Sequence, residues 1–122
     1  MLKINGLKHS YDGDNIIQYP DWEVDEGHHA IILGNSGCGK TTLLHLIGGL
    51  MPPSAGSLQV AGQDLSRASK TKLDRFRGEN IGIIFQKPHL VRSLTVKENL
   101  MLPQYLGHQN TSSKRAEEVL DH

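Results

Sequence analysis

A glycine-rich segment between an apolar run and a helix pattern constrains this chain more than any other feature. Residues 34–41 read GNSGCGKT and match G-x-x-x-x-G-K-S/T, the consensus of loops that hold nucleotide phosphates. In such loops successive backbone N–H groups converge on an anion, and the dipole of the following helix adds positive potential. The alternative is a glycine-rich turn that holds no ligand. The strand–loop–helix context favours the phosphate-binding loop.

Each residue type in the loop has a predicted task. Glycines allow backbone angles and a close approach of phosphate that side chains would obstruct. Lys40 is expected to reach the β- and γ-phosphates, and the Thr41 hydroxyl to ligate Mg²⁺. Cys38 is interpreted as a small loop residue rather than a nucleophile. The predicted nucleotide-binding residues of this segment are Gly34, Asn35, Ser36, Gly37, Cys38, Gly39, Lys40, Thr41 and Thr42.

Turn residues and apolar spacing divide the rest of the chain into short elements. A short apolar run is typical of a strand buried on both faces, and one such run directly precedes the loop. Strands are predicted at residues 2–11, 16–24, 30–33, 57–61 and 80–88. Helices are predicted at residues 40–50, 66–77, 95–102 and from Ser112 onward.

Helix boundaries and inward faces follow from particular residues. Thr95 and Glu98 have the spacing of a capping box, and Pro103 is expected to end the helix that they begin. No stop signal follows Leu120, so the last helix is expected to continue beyond His122. The predicted inward-facing residues of the earlier helices are Leu43, Leu46, Ile47, Leu50, Leu73 and Phe76.

Composition limits the classes of function. The chain has 122 residues, which suggests one domain, and 13 basic and 13 acidic residues, which give no net charge. Without a charge excess, nucleic acid is not expected as a partner. The single cysteine excludes an internal disulfide and fits a reducing compartment. No signal-like leader or membrane-length apolar window is present, so a soluble, cytoplasmic chain is predicted.

Residues around the loop distinguish between the families that share it. Tyr11 lies upstream in HSYDGDN, IGIIFQ lies downstream and ends at Gln86, and LTVKENL follows. Taken together, these segments resemble the N-terminal half of an ABC-transporter ATP-binding subunit. The run at residues 75–106 is most similar to the lipoprotein-release and macrolide-export branch. The resemblance covers nearly the whole chain.

The resemblance implies a fold and a set of ligands. The fold would be α/β, the N-terminal part of a P-loop NTPase domain of the ABC type. It would combine an antiparallel β layer with the Walker A strand–loop–helix and an incomplete parallel core. The cofactors would be ATP and Mg²⁺, and Lys40 and Gln86 would be the catalytic residues. Tyr11 would stack on adenine, and Gln86 would contact Mg²⁺ and the attacking water. A hairpin tyrosine and a strand-capping glutamine remain the alternatives.

The resemblance also implies partners. The segment after Gln86 would face a membrane-spanning transporter subunit, and a second ATP-binding subunit would complete a homodimer in the intact protein. The chain would then lie at the inner face of the cell membrane, held there through its partner. Its transported substrate is not encoded in any motif of these residues.

Three groups that this family uses for hydrolysis are absent from the 122 residues. They are the apolar strand that ends in Asp-Glu, the Leu-Ser-Gly-Gly-Gln signature and the switch histidine. Residues 1–122 are therefore predicted to be a partial ABC ATP-binding domain that binds ATP without hydrolysing it. Apolar strands at 30–33 and 81–85 would be left with open edges, which predicts self-association. A short nucleotide-binding adaptor or regulator is the alternative, and a small nucleotide kinase ranks last.

Overall fold

The computed structural model describes residues 1–87, 89–107 and 112–121. The chain divides into two compact units, Met1–Leu73 and Asp74–His122. Pro88, the last residue of the predicted strand 80–88, and His122, which the predicted final helix includes, lie outside the described residues.

An antiparallel sheet is the framework of the first unit. Its central strand, β1 (Leu2–Ser10), pairs along one edge with β2 (Ile16–Gln18) and β3 (Trp22–Val24). Its other edge pairs with β4 (Ala55–Val60), and β5 (Gln63–Asp64), which the sequence patterns did not predict, pairs with β4. The register between β1 and β4 shifts between Asn5 and Lys8, as at a β-bulge. The side chains of Ile4, Leu7 and Leu58 are fully buried.

The predicted strand at 16–24 is broken into β2 and β3. Pro20 lies in the break, where it lacks the N–H group that a continuous ladder requires. Tyr19 donates its backbone N–H to the carbonyl oxygen of Leu7 at 3.0 Å. The Asp21 carboxylate accepts the N–H of Gly6 at 2.6 Å. The chain thus stays attached to β1 across the break.

The helix after the glycine-rich loop, α1 (Lys40–Ile47), is shorter than predicted. Leu43 and Leu46 are buried, as predicted. Gly48 donates its N–H to the carbonyl oxygen of Leu44 and caps the helix. Leu50 therefore lies beyond the helix and is exposed, so the prediction that it extends the buried face was wrong.

The predicted strands at residues 30–33 and 80–88 are not strands among the described residues. Ile31 and Leu33 are 85% and 86% exposed, and Ile84 is 101% exposed. A strand needs a neighbour to satisfy its backbone N–H and C=O groups, and the described sheet does not extend to either segment. The apolar pattern therefore gives exposed side chains here instead of a buried core.

Three further helices follow: α2 (Lys70–Asn80), α3 (Val96–Leu106) and α4 (Ser113–Leu120). Leu73 and Phe76 of α2 are buried, as predicted. The capping box of Thr95 and Glu98 is present in full, and Ser112 caps α4. In the part of the chain that the structure describes, no helix combines the length and apolarity needed to cross a bilayer.

Pro103 lies inside α3, so the prediction that it ends this helix was wrong. A proline inside a helix lacks a donor, and its ring crowds the carbonyl group four residues earlier, but its φ suits a helix. The carbonyl oxygen of Pro103 still accepts the N–H of Gly107 at 2.9 Å, so the helix continues past it. Gly107 also approaches α2 closely. A Cβ atom on Gly107 would lie 2.5 Å from the carbonyl oxygen of Gly78.

Candidate functional site

The glycine-rich loop joins the exposed segment 30–33 to α1. Gly37 and Gly39 have φ angles of 81° and 91°, in the region that favours glycine. A Cβ on Gly34 would lie 2.7 Å from the sulfur of Cys38, and a Cβ on Gly39 would lie 3.0 Å from Cγ2 of Ile17. The backbone angles favour glycine at positions 37 and 39, and crowding also favours it at 39, whereas a side chain at position 34 would have to displace the Cys38 sulfur.

The ammonium group of Lys40 folds back over the loop. Its Nζ atom donates to the carbonyl oxygens of Gly34 at 2.8 Å and Asn35 at 2.6 Å, and lies 3.7 Å from the sulfur of Cys38. Cys38 in turn donates its N–H to the carbonyl oxygen of Asn35 at 3.4 Å. A fixed positive charge thus lies against the loop that the sequence assigns to phosphates.

The two threonines after Lys40 have different surroundings. Thr41 is exposed, whereas Thr42 is buried. The Thr42 Oγ1 atom lies 3.0 Å from the hydroxyl oxygen of Tyr11. The Thr41 hydroxyl is therefore at the surface, while that of Thr42 is engaged by a tyrosine. The remaining loop residues Asn35, Ser36 and Cys38 are exposed.

Tyr11 follows directly after β1 and reaches the first turn of α1 through Thr42. Its side chain is 66% exposed, and its ring packs edge-on against His9 with the centroids 4.7 Å apart. Its hydroxyl also lies 3.9 Å from the sulfur of Met51. An exposed aromatic ring is thus connected to the first turn of α1, and its predicted stacking on adenine stays a prediction.

The turn after Tyr11 is organised by a carboxylate. Asp12 accepts hydrogen bonds from the backbone N–H of Asn15 at 2.9 Å and from its side-chain amide at 2.6 Å. It also accepts the N–H of Asp14 at 3.0 Å. These bonds, those from Asn15 foremost, lower the pKa of Asp12 to about 2. The turn predicted at residues 12–15 is thus held by an ionised side chain.

Tyr19 is a site residue that the sequence reasoning missed. Its phenol is buried and donates a hydrogen bond to the carbonyl oxygen of Gly39 at 3.0 Å. Burial raises the pKa of Tyr19 above its usual value, and the Thr42 hydroxyl acts in the opposite direction. No motif marks this position, because a tyrosine before a proline reads as an ordinary strand end.

Gln86 lies in the second unit, exposed, after the unpaired segment 81–85. Within the first unit, Tyr11 contacts Thr42, while the Lys40 ammonium contacts Gly34 and Asn35. The predicted roles of Gln86 and Thr41 towards Mg²⁺ stay predictions.

The residues of the first unit fit a nucleotide phosphate with a magnesium ion. At Gly37 no atom lies within 4 Å of where a Cβ would be, so the loop backbone is open there, and the Lys40 ammonium supplies the charge that phosphate oxygens require. Within the described ranges, no three His, Cys, Asp or Glu side chains converge to hold a metal. Mg²⁺ commonly takes few protein ligands together with water and substrate phosphates, so an exposed threonine hydroxyl suits it.

Comparisons with known proteins identify the family. The sequence profile described as "ABC transporter" matches residues 17–122. The chain is 37% identical over 118 residues to the lipoprotein-releasing system ATP-binding protein LolD of Bacteroides thetaiotaomicron, covering 97% of this chain and 53% of that protein. It is 36% identical over 126 residues to LolD of Chromohalobacter salexigens, covering 98% and 53%. The chain therefore spans about half the length of the curated relatives it matches.

The fold is similar to solved structures as well. A dimeric structure of the ATP-binding cassette MJ0796, in a post-hydrolysis state bound to ADP and Pi, superposes with a TM-score of 0.86 at 30% identity. The alignment covers 99% of this chain and 56% of that one. These matches confirm the predicted fold class, an α/β fragment that corresponds to the N-terminal part of a P-loop NTPase domain.

Proposed function

The chain belongs to the ABC transporter family, in the branch of ATP-binding subunits that includes the lipoprotein-releasing proteins, and we propose that its glycine-rich loop binds MgATP. The observation that carries this proposal is the position of Lys40, whose ammonium lies 2.8 and 2.6 Å from two loop carbonyl oxygens. Phosphate oxygens, which carry full negative charge, are stronger acceptors than these carbonyls. The phosphate oxygens of ATP can therefore replace the two carbonyl oxygens as acceptors of the Lys40 ammonium.

The other predicted residues have complementary roles in this proposal. The exposed ring of Tyr11 stacks on adenine, and the Thr41 hydroxyl and Gln86 support Mg²⁺. When bound, the ion neutralises charge on the phosphates. Lys40 then holds the β- and γ-phosphates, and Thr42 adds a phosphate contact. Gln86 positions the attacking water in the intact protein.

The proposal separates binding from hydrolysis. Positioning of water and stabilisation of transition-state charge carry phosphoryl transfer. These 122 residues contain a phosphate loop but no Asp-Glu strand end, signature motif or switch histidine. The chain by itself therefore binds MgATP and turns it over negligibly. In the intact protein, two such domains bind ATP as a homodimer, and its hydrolysis drives export or lipoprotein release.

The second unit offers a surface for the membrane partner. After Gln86, an apolar pocket of about 310 Å³ is lined mainly by Leu90, Val91, Leu94, Val96 and Leu100. Leu90 and Val96 are 68% and 66% exposed. A partner protein that covers these apolar side chains would remove them from water. A membrane-spanning subunit that docks here would hold the protein at the inner face of the cell membrane.

An ATPase assay tests the separation of binding from turnover. The purified 122-residue chain should release no phosphate from MgATP above the background of a Lys40→Ala variant. Steady hydrolysis that Lys40→Ala abolishes would contradict the proposal. The alternative, a short adaptor or regulator, is tested by the gene beyond codon 122. An in-frame continuation that encodes the signature supports the transporter subunit, and a stop codon supports the adaptor.

A further inference from the structure

Tyr19 is connected to the phosphate loop through one backbone oxygen. Its phenol donates to the carbonyl oxygen of Gly39 at 3.0 Å, and the same oxygen accepts the N–H of Leu43 at 2.9 Å. A carbonyl oxygen has two lone pairs, so the helix and the Tyr19 phenol can both engage this atom. Gly39 is the N-cap of α1, with φ 91° and ψ 10°. The bond from Tyr19 therefore restrains the residue at which the loop becomes a helix.

The donor in this bond is itself held in place. The backbone N–H of Tyr19 donates to Leu7, a fully buried residue of β1, at 3.0 Å. Pro20 follows and restricts the backbone of Tyr19 to extended conformations. The side chain is only 7% exposed. Because few alternative conformers are open to it, little conformational entropy opposes the bond.

A second tyrosine reaches the same turn. Tyr11 follows β1 and contacts the Thr42 hydroxyl at 3.0 Å, whereas Tyr19 follows β2 and contacts Gly39. The first turn of α1 is thus connected at two points to the β1–β2 hairpin. Of the two rings, that of Tyr11 is exposed and available to a base, while that of Tyr19 is buried beneath the loop's last glycine.

We propose that Tyr19 is a positioning residue for phosphate binding, whose hydroxyl holds Gly39 so that the loop backbone is pre-organised for an anion. This inference rests on the proposed binding of MgATP. Without the hydroxyl, the backbone at Gly39 samples other conformations. Ordering that backbone then costs part of the binding free energy of the nucleotide, which lowers the affinity. Gly39 belongs to the loop and not to the base site, so the effect is confined to ligands that carry phosphates.

Calorimetric titration of the 122-residue chain tests the role of this hydroxyl. Tyr19→Phe keeps the buried ring and removes only the donor. Tyr105→Phe makes the same chemical change on a side chain of α3 that is 72% exposed, and serves as the matched control. Affinities are measured for MgATP and, by competition, for adenosine. Tyr19→Phe should weaken MgATP binding roughly three- to tenfold, the range of one hydrogen bond, and leave adenosine binding unchanged. Tyr105→Phe should change neither.

Three other results would contradict either the positioning role of Tyr19 or the proposed binding of MgATP. Equal MgATP affinity in the wild type and Tyr19→Phe would overturn the positioning role. An equal loss for MgATP and adenosine would also overturn it, because general damage to the fold does not distinguish phosphate from base. Failure of the wild type to bind MgATP would instead overturn the proposed function, and the inference with it.

Discussion

The hydroxyl oxygens of Tyr11 and Thr42 lie 3.0 Å apart, which connects the end of β1 to the first turn of α1. This contact sets the distance between the proposed adenine-stacking ring and the helix that carries Lys40. The ring and the hydroxyl of Tyr11 therefore have separable roles, one towards the base and one towards the protein.

Substitution of Tyr11 tests the stacking role. Stacking of an aromatic ring on a base contributes about 1–3 kcal/mol, so Tyr11→Ala should weaken MgATP binding by about 5- to 150-fold. Tyr11→Phe keeps the ring and should retain most of the affinity. Tyr105→Ala removes an exposed tyrosine of the second unit and serves as the control. Equal affinities of the Tyr11→Ala and Tyr105→Ala variants, measured by calorimetry, would refute the stacking role.

Alanine substitutions at two glycines of the loop are expected to reduce stability by different amounts. Alanine at Gly37 or Gly39 would have to adopt a positive φ, which costs about 1–2 kcal/mol. A Cβ on Gly37 meets no atom within 4 Å, whereas one on Gly39 meets Ile17 at 3.0 Å and the Tyr19 hydroxyl at 3.1 Å. Urea denaturation should therefore show a larger loss of unfolding free energy for Gly39→Ala, by about 1 kcal/mol or more. Equal losses of unfolding free energy for Gly37→Ala and Gly39→Ala would contradict the crowding around Gly39.

Asp12 gives the turn beside Tyr11 a predictable response to acid. Its pKa is lowered from 3.8 to about 2 in the folded chain, so its ionised form stabilises the fold. That contribution is complete above the unfolded pKa and is lost as pH falls through the folded value. An NMR titration of the side-chain carboxyl carbon should give a midpoint near pH 2. Asp14→Asn leaves this carboxylate in place and should not shift the midpoint. A midpoint near 4 would contradict the hydrogen-bonded turn.

Exposed apolar side chains outside the sheet predict self-association. Ile31 and Ile84 are 85% and 101% exposed in segments without a strand partner among the described residues. Unpaired apolar segments favour pairing between chains. Sedimentation velocity should show concentration-dependent oligomers that an Ile31→Lys/Ile84→Lys variant reduces. A Val119→Lys variant, on α4, controls for added charge. A wild-type chain that stays monomeric at high concentration would show that these segments do not associate.

Local signals in the sequence predicted local features. The hydroxyl and carboxylate spacing at Thr95 and Glu98 predicted the capping box because both partners lie within one helical turn. Leu43 and Leu46 were predicted to be buried by helical spacing alone. The loop glycines followed from the motif, since their backbone angles are a local property.

Features that depend on distant partners were not predictable in this way. The apolar run at 30–33 has the composition of a buried strand, but a strand forms only where a neighbour supplies hydrogen bonds, and the described sheet does not reach it. Tyr19 reaches Gly39 across 20 positions of the chain, and no spacing rule relates them. Pro103 looked like a stop signal, yet its φ suits a helix and its carbonyl oxygen accepts the N–H of Gly107, so α3 continues past it despite the lost donor and the crowding by the ring.

Titration of MgATP into the 122-residue chain and its Lys40→Ala variant tests the central claim most directly. Lys97→Ala, which removes a half-buried lysine paired with Glu117 in the second unit, is the matched control for lost charge. We expect saturable binding by the wild type and by Lys97→Ala, and affinity lower by about tenfold or more for Lys40→Ala, since a charge-assisted contact to phosphate is lost. Equal binding by the wild type and Lys40→Ala, or no binding by the wild type, would contradict the assignment of this loop to ATP.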